Sequence, residues 1–174
     1  MSREIRKVPS GWQHPRDENG RLISMYDQDY DDASLEYIAR LIAWENGGYE
    51  KEKETGCSAR YYWDWDGPPP DSTSYRPKFD KPADCFQIYQ TISEGTPVSP
   101  VFGSVDEMVN WMCQPIDRSS EYNTGADWQS MQGMTQSQAE NFCKVGSSCS
   151  LIGMAGGGLV AGHRYEPKTD SDAK

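Results

Sequence analysis

Residues 86–113 read FQIYQTISEGTPVSPVFGSVDEMVNWMC, and this stretch decides most of what the sequence indicates about the fold. Phe86, Ile88 and Ile92 alternate with more polar residues, and a period of two predicts a half-buried strand. Ser104 then opens a Ser-x-x-Glu capping box, which predicts the start of an amphipathic helix. A loop rich in Gly and Pro lies between the two elements. The stretch therefore predicts a strand, a tight turn and a capped helix, but it names no reaction.

The loop at 93–100 has the strand-to-helix position of many phosphate sites, yet its residues do not fit one. It lacks the GxxxxGK[ST] pattern of a P-loop. Asp106 and Glu107 in the first turn of the following helix would repel an anion. Gly95 supplies an unusual backbone angle and the prolines stiffen the chain. We therefore interpret the loop as a rigid structural turn.

Two further helices are indicated by periodicity and by their ends. Residues 31–46 place an apolar stripe at i, i+3, i+4 and i+7, formed by Leu35, Ile38, Ala39 and Ile42. The pair Gly47-Gly48 ends that helix. Thr135 opens a second capping box, and the short helix that follows ends at Gly146.

The remaining segments are irregular or short. Residues 1–30 are punctuated by Pro and Gly and predict an extended N-terminal arm. Residues 49–84 are a long irregular segment rich in Pro and aromatic rings, which we read as anchors of a loop. In the polar stretch 117–133, Trp128 is the expected anchor. Near the end, Leu151-Ile152 and Leu159-Val160 flank a glycine run and predict a hairpin.

These elements predict one α+β domain over residues 1–165, followed by a disordered tail at 166–174. We expect a small antiparallel or mixed sheet built from the 86–92 strand and the C-terminal hairpin. Three to four helices would cover it, with the N-terminal arm packed across. A chain of 174 residues has the size of one such domain.

Composition narrows the classes of partner. The net charge is −10, which argues against nucleic acid, because neutralising phosphates needs an excess of Lys and Arg. It is compatible with a basic partner or with solubility alone. The five cysteines form no CxxC pair, the N-terminus has no signal-peptide pattern, and no apolar run would span a membrane. We expect reduced thiols in a cytoplasmic protein.

Catalytic and metal patterns are missing from the sequence. His14 and His163 lie near opposite ends, and nothing pairs either with a nucleophile. A zinc set of Cys113, Cys143, Cys149 and His163 fails because the Cys143–Cys149 spacing is too long. The DQDYDD run at 27–32 fails the EF-hand pattern. The rings at 61–65 lack the positive charge that stacked bases would need. We predict no cofactor, no metal and no catalytic residue.

The blocks REIRKVPSGWQHPR and YQTISEGTPVSPVF, with YRP between them, resemble a family of small uncharacterised proteins of tailed bacteriophages and prophages. The matching pieces are 3–16, 75–77 and 86–112. The resemblance implies a phage or prophage origin and a location in the bacterial host cytoplasm. The family implies no activity, so it gives no catalytic residue.

We therefore expect a non-enzymatic phage accessory protein that binds a host or phage protein, and counter-defence is a more specific form of this expectation. The alternatives are a virion or assembly component and a small hydrolase-type enzyme without a recognisable motif. The candidate binding residues are Trp12 and His14 in the first block, and Glu94, Gly95 and Thr96 in the loop. The sequence leaves the oligomeric state open.

Overall fold

A computed structural model describes residues 2–47, 60–91, 95–149, 151–153 and 159–165. The predicted binding residue Glu94 lies outside the described residues, together with its neighbours at 92–93. The predicted tail at 166–174 lies outside them as well. The chain contains both helices and sheets, as the α+β prediction requires. It groups into two compact units, which we call the sheet unit (residues 1–24 and 79–174) and the α1 unit (residues 25–78).

The sheet unit is built on a four-stranded antiparallel sheet with the order β5-β4-β1-β6. The strands are β1 (Arg3–Val8), β4 (Cys85–Gln90), β5 (Thr96–Pro97) and β6 (Ser147–Ser148). The predicted strand at 86–92 is β4, one residue earlier at its start. Its register with β1 runs from Arg3 opposite Gln90 to Val8 opposite Cys85.

The N-terminal segment differs from the expected extended arm. Residues 3–8 form β1, which pairs with β4 on one side and with β6 on the other. Its backbone is therefore inside the sheet and does not lie across it. Only residues 9–24 keep the irregular character that the prolines and glycines predict.

The C-terminal hairpin does not take the place in the sheet that was predicted for it. The C-terminal hairpin forms, with β7 (Leu151–Gly153) antiparallel to β8 (Leu159–Ala161). However, it is a separate two-stranded sheet and does not join β4. The four-stranded sheet is instead completed by β1 and β6, whose residues carry no alternating apolar pattern.

The two predicted capped helices form beside this sheet. Helix α3 (Val105–Cys113) begins at Ser104, whose side chain accepts a hydrogen bond from the Glu107 amide. Helix α4 (Gln136–Val145) has both bonds of its capping box at Thr135, and it ends at Gly146 with φ of 81°. These helices and the sheet enclose the core, whose members include Ile88, Phe102, Met108, Met112, Met131 and Phe142.

The stretch between α3 and α4 is held by buried polar groups, not by Trp128. The Trp128 side chain is 48% exposed, which corrects its expected role as an anchor. Asn123 is 4% exposed and bonds Gln132 Oε1 at 2.7 Å and Ser130 Oγ at 2.6 Å. Hydrogen bonds among these buried polar side chains therefore hold the loop in place of an apolar anchor.

The α1 unit contains β2 (Tyr26–Asp29), α1 (Tyr30–Glu45), α2 (Tyr62–Asp66) and β3 (Tyr75–Arg76). Strands β2 and β3 pair in parallel. The Asp29 side chain caps α1 by accepting from the Asp32 amide, and this bond lowers the pKa of Asp29. The predicted irregular segment thus contains a short α-helix, the 3-10 turn Ser72–Ser74 and a short strand among its described residues.

Candidate functional site

Trp12 and His14, two of the residues predicted to bind, lie together in a cleft of the sheet unit. The cleft has a volume of about 600 Å³. Pro97 and Tyr122 form other parts of its wall, and Arg16 and Glu121 form an ion pair of 2.5 Å. The structure therefore brings the first sequence block to the end of the Gly/Pro loop.

The Tyr89 hydroxyl forms hydrogen-bond contacts with three residues that line this cleft. It accepts a hydrogen bond from Trp12 Nε1 at 3.1 Å and lies 2.9 Å from Gln87 Oε1 and 3.2 Å from His14 Nδ1. His14 Nε2 lies 2.6 Å from the carbonyl oxygen of Ile23. A carbonyl can only accept, so Nε2 carries a proton.

The number of protons in this network depends on the charge of His14. Burial lowers the pKa of His14, and the positive charges of Arg6 and Arg16 lower it further. In neutral His14, Nδ1 is an acceptor and competes with Gln87 Oε1 for the single Tyr89 proton. Both ring nitrogens already have partners in the protein, so His14 is not placed as a free base for a substrate.

The loop residues Gly95 and Thr96 are not among the residues that line the cleft. Arg6 lies 4.5 Å from the centre of the Tyr89 ring and pairs with Glu4 at 2.6 Å. Gly95 has φ of 100°, and a side chain there would overlap the Arg6 guanidinium. Thr96 lies in β5, paired with Gln90. The binding role of Gly95 and Thr96 stays a prediction.

Among the described residues, no nucleophilic side chain forms a hydrogen bond with the other histidine, His163. His163 is 3% exposed and lies beside Arg3, Arg164 and the backbone of Ser130. Cys149 donates to the carbonyl of Leu151 at 3.6 Å. No Cys–His hydrogen bond of the kind used in nucleophilic catalysis joins these residues.

Helix α1 presents a different kind of surface. Its inner face carries Ala33 and Tyr37, which are 4% and 7% exposed. The helix turns by about 100° per residue, which places a second apolar face roughly opposite. We call this face the α1 stripe, and its members are exposed to solvent: Leu35, Ile38, Ala39 and Ile42.

The inner face of α1 is fixed by Tyr62 of α2. The Tyr62 ring packs 5.1 Å from the Tyr37 ring and 6.0 Å from the Trp44 ring. Its hydroxyl donates to Asp66, and burial followed by this bond raises the pKa of Tyr62 to about 12. Arg40 donates to the same carboxylate at 3.0 Å. These contacts hold the α1 stripe on the outer side of its helix.

The border of the α1 stripe is acidic. The exposed acids of this helix are Asp31, Asp32, Glu36 and Glu45. The single basic residue of the helix, Arg40, is paired with Asp66 and lies 3.9 Å from Glu36. The α1 stripe is therefore an exposed apolar row with an anionic border.

Apolar residues occupy two faces of α1 in the sequence: Ala33, Tyr37, Leu41 and Trp44 on one, and the α1 stripe on the other. The i, i+3, i+4, i+7 spacing singled out the α1 stripe, but the structure buries or partly buries the first face and exposes the stripe. A helix apolar on two opposite faces must leave one of them exposed unless it is enclosed.

Metal ligands do not cluster in the described ranges, where no group of three or more His, Cys, Asp or Glu side chains could hold an ion. None of the helices in those ranges has both the length and the apolar character needed to cross a bilayer. Comparison of the chain with family models, curated proteins and solved structures finds no match.

Proposed function

We propose that this chain is a non-enzymatic protein-binding module whose α1 stripe docks against a basic amphipathic helix of a partner protein. One observation carries the proposal. Leu35, Ile38 and Ile42 are 66%, 49% and 53% exposed, although they have the i, i+3, i+7 spacing of anchors in helix recognition. Tyr37 and Trp44 already pack the opposite face.

The negative charge of the α1 unit favours a basic partner helix. Residues 25–78 contain 12 acidic and six basic residues, so this unit carries −6 of the chain's net charge of −10. A partner helix with Lys or Arg beside its apolar row would meet the acids that border the α1 stripe. Such complementarity favours association and disfavours acidic partners.

The size of the surface sets the expected affinity. Burying the exposed half of each aliphatic side chain contributes about 1 kcal/mol. Three or four such residues supply about 3–4 kcal/mol, at most half of the roughly 8 kcal/mol that micromolar binding requires. Ion pairs between the partner helix and the acids that border the α1 stripe have to supply the remainder and offset the cost of association.

The biological setting of the proposal comes from the phage-like sequence blocks at 3–16 and 86–112. They support a phage accessory protein that acts in the cytoplasm of a bacterial host. Capture from nuclease-treated lysate of infected cells tests this setting: a host protein that is lost when Ile38 is replaced supports it. Recovery of virion proteins instead would identify an assembly component, and recovery of neither would contradict the setting.

The binding mode is tested with synthetic helices of about 18 residues, long enough to form in solution. A Leu/Lys peptide with leucines at i, i+3, i+4 and i+7 is compared with a Leu/Glu peptide of the same pattern. We expect micromolar binding of the first by calorimetry and none of the second. Ile38→Glu should weaken binding at least about tenfold, the equivalent of 1.4 kcal/mol.

The variant separates apolar docking from simple charge attraction. Ile38→Glu adds a negative charge, so a purely electrostatic association would become tighter. Leu159→Glu makes the same change at a residue that is 71% exposed in the sheet unit, and it should leave binding unchanged. Equal effects of both variants would contradict the proposal. A wild-type dimer that Ile38→Glu dissociates, measured by light scattering, would replace the basic helix with a second copy.

A further inference from the structure

The sheet unit contains a second cavity, which shares no residue with the cleft that contains Trp12 and His14. It lies where α4 and β6 meet the turn Gly162–Arg164, and its volume is about 390 Å³. Its wall includes residues one helical turn apart on α4 and residues of the segment that follows; among them are Gln138, Phe142, Val145, Ser148, Ile152 and Tyr165. Phe142 is also a member of the core, so the core itself forms part of the wall.

The surface that faces this cavity is mostly apolar. Phe142 and Tyr165 are aromatic, and Val145 and Ile152 are aliphatic. Among the described residues of the wall, Lys144 is the one whose side chain is charged at every ordinary pH, and it is exposed to solvent. Water and salt screen a single exposed charge, so Lys144 does not select an anionic ligand.

Three polar side chains of the wall have their polar groups in the protein and not in the cavity. The ring nitrogens of His163 and the hydroxyl of Ser148 are fully buried, so they are not part of the cavity surface. Gln138 donates to the carbonyl of Arg164 at 2.8 Å and accepts a hydrogen bond from the Thr135 amide at 3.1 Å. A charged group on a ligand would lose water here without gaining a partner from these three residues.

His163 also brings no charge to the wall at neutral pH. Burial lowers the pKa of His163, and the positive charges of Arg3 and Arg164 lower it further, to about 4. Neither arginine is among the residues that line the cavity. His163 therefore contributes neither a charge nor an accessible nitrogen to a ligand.

The volume of the cavity limits the size of the molecule that it can hold. A dry apolar cavity of about 150 Å³ in a protein accommodates benzene, so the larger volume here admits one or two rings with a short substituent. Aromatic side chains gain specific contacts with another ring, and Phe142 and Tyr165 therefore favour a ring over a flexible chain. Cavities of a few hundred cubic ångströms with mostly apolar walls are typical small-molecule sites.

We propose that this cavity binds a small uncharged aromatic molecule of one or two rings. Binding is driven by contact of the ring with Phe142, Val145, Ile152 and Tyr165 and by the release of water from these surfaces. Size, shape and the absence of charge define this class of ligand, because the wall offers no partner for a charged head group. The site lies in the sheet unit and does not depend on the α1 stripe.

The test compares three ligands with the same ring system, added to the full chain and followed by NMR of side-chain methyl groups. Indole is neutral, tryptamine carries an ammonium group and indoleacetate carries a carboxylate. We expect indole to shift the methyl resonances of Val145 and Ile152 with an affinity in the millimolar range or tighter. Both charged ligands should bind there at least about tenfold more weakly. Absence of shifts with indole, or equal or tighter binding of a charged ligand at these residues, would overturn the proposal.

The same spectra locate the ligand, since indole could also adhere to the exposed α1 stripe. Nuclear Overhauser contacts from the indole ring should reach the methyl groups of Val145 and Ile152. Contacts confined to Leu35 and Ile38 would place the ligand on the α1 stripe and would contradict a site in the cavity.

Blocking variants provide the matched control. Val145 is 71% exposed and lines the cavity, so Val145→Trp places a larger side chain in its wall without removing a core contact. Ile152→Trp makes the same change from the hairpin. We expect indole binding to weaken at least about tenfold in each. Val105→Trp, at an exposed residue in the first turn of α3, should have no effect. Unchanged binding in both cavity variants, with folding confirmed by circular dichroism, would overturn the proposal.

Discussion

Buried charged and polar side chains give single residues unusual weight in the sheet unit. Arg6 is 7% exposed, covers the Tyr89 ring and pairs with Glu4. Tyr89 in turn joins Trp12, His14 and Gln87. A change at one residue of this group therefore alters the partners of several others.

At Gly95, both the positive φ of the backbone and the nearby Arg6 side chain disfavour any residue larger than glycine. Gly95→Ala forces a methyl group onto the Arg6 guanidinium in a backbone region that side chains rarely adopt. We expect a loss of about 2–3 kcal/mol in unfolding free energy, measured in urea. Gly20 has φ of 78° and an open surrounding, so Gly20→Ala should cost only about 1 kcal/mol. Equal losses would show that Arg6 moves aside freely.

His163 makes the stability of the fold dependent on pH. Its pKa falls from 6.5 to about 4 on folding, so the unfolded chain takes up the proton first. The corresponding stability is complete above pH 6.5 and is lost as the pH falls toward about 4. The shift corresponds to about 3 kcal/mol.

Replacing the imidazole tests this dependence. In His163→Gln, unfolding free energies measured in urea across that pH range should fall by about 3 kcal/mol less than in the wild type. The pKa of His14 is lowered in the same direction, so His14→Gln should also flatten the curve. A wild-type slope retained in His163→Gln would contradict the assignment.

At the scale of single elements, α1 has two apolar faces with different roles. Tyr37→Ala removes a ring that packs against Tyr62, and we expect a loss of about 3 kcal/mol in unfolding free energy. Ile38→Glu replaces the neighbouring residue on the exposed face and should change the unfolding free energy by less than about 0.5 kcal/mol. Thermal and urea unfolding of the two variants measure this difference. A comparable loss for Ile38→Glu would mean that the protein itself covers the α1 stripe.

The elements that the sequence predicts well are those with local signals. Ser104 and Thr135 cap their helices through bonds within three residues, and Gly146 ends α4 with a positive φ. Such bonds depend only on nearby residues, so a sequence pattern reveals them. The hairpin β7–β8 is equally local.

The elements that the sequence misses are those defined by distant partners. Strand β1 reads REIRKV and buries Arg3 and Arg6, which a hydrophobic pattern places in solvent. Of the predicted site residues, Trp12 and His14 come together through Tyr89, 75 or more positions away. The α1 stripe was visible as periodicity, but its exposure depends on which face Tyr62 covers.

At the scale of the whole molecule, β1 connects the two halves of the four-stranded sheet. Ile5→Pro removes the amide that donates to the Gly146 carbonyl at 2.8 Å. We expect a loss of at least about 3 kcal/mol and the disappearance of cooperative unfolding of the sheet unit, seen by circular dichroism. Ile5→Val retains the amide and should cost less than about 1.5 kcal/mol. If the two variants unfolded alike, β1 would not connect the sheet.

The central position of β1 also sets the order of events during synthesis. This strand is synthesised before the other three strands of its sheet, so Arg3 must wait for Gln90 and then for Ser148. Folding is slow because these long loops must close before strand pairing contributes any stabilisation. Until then β1 has two unpaired edges, and such edges invite pairing with another chain. Crowded expression should therefore yield misassembled chains more readily than dilute refolding, although the finished sheet has β1 covered on both sides.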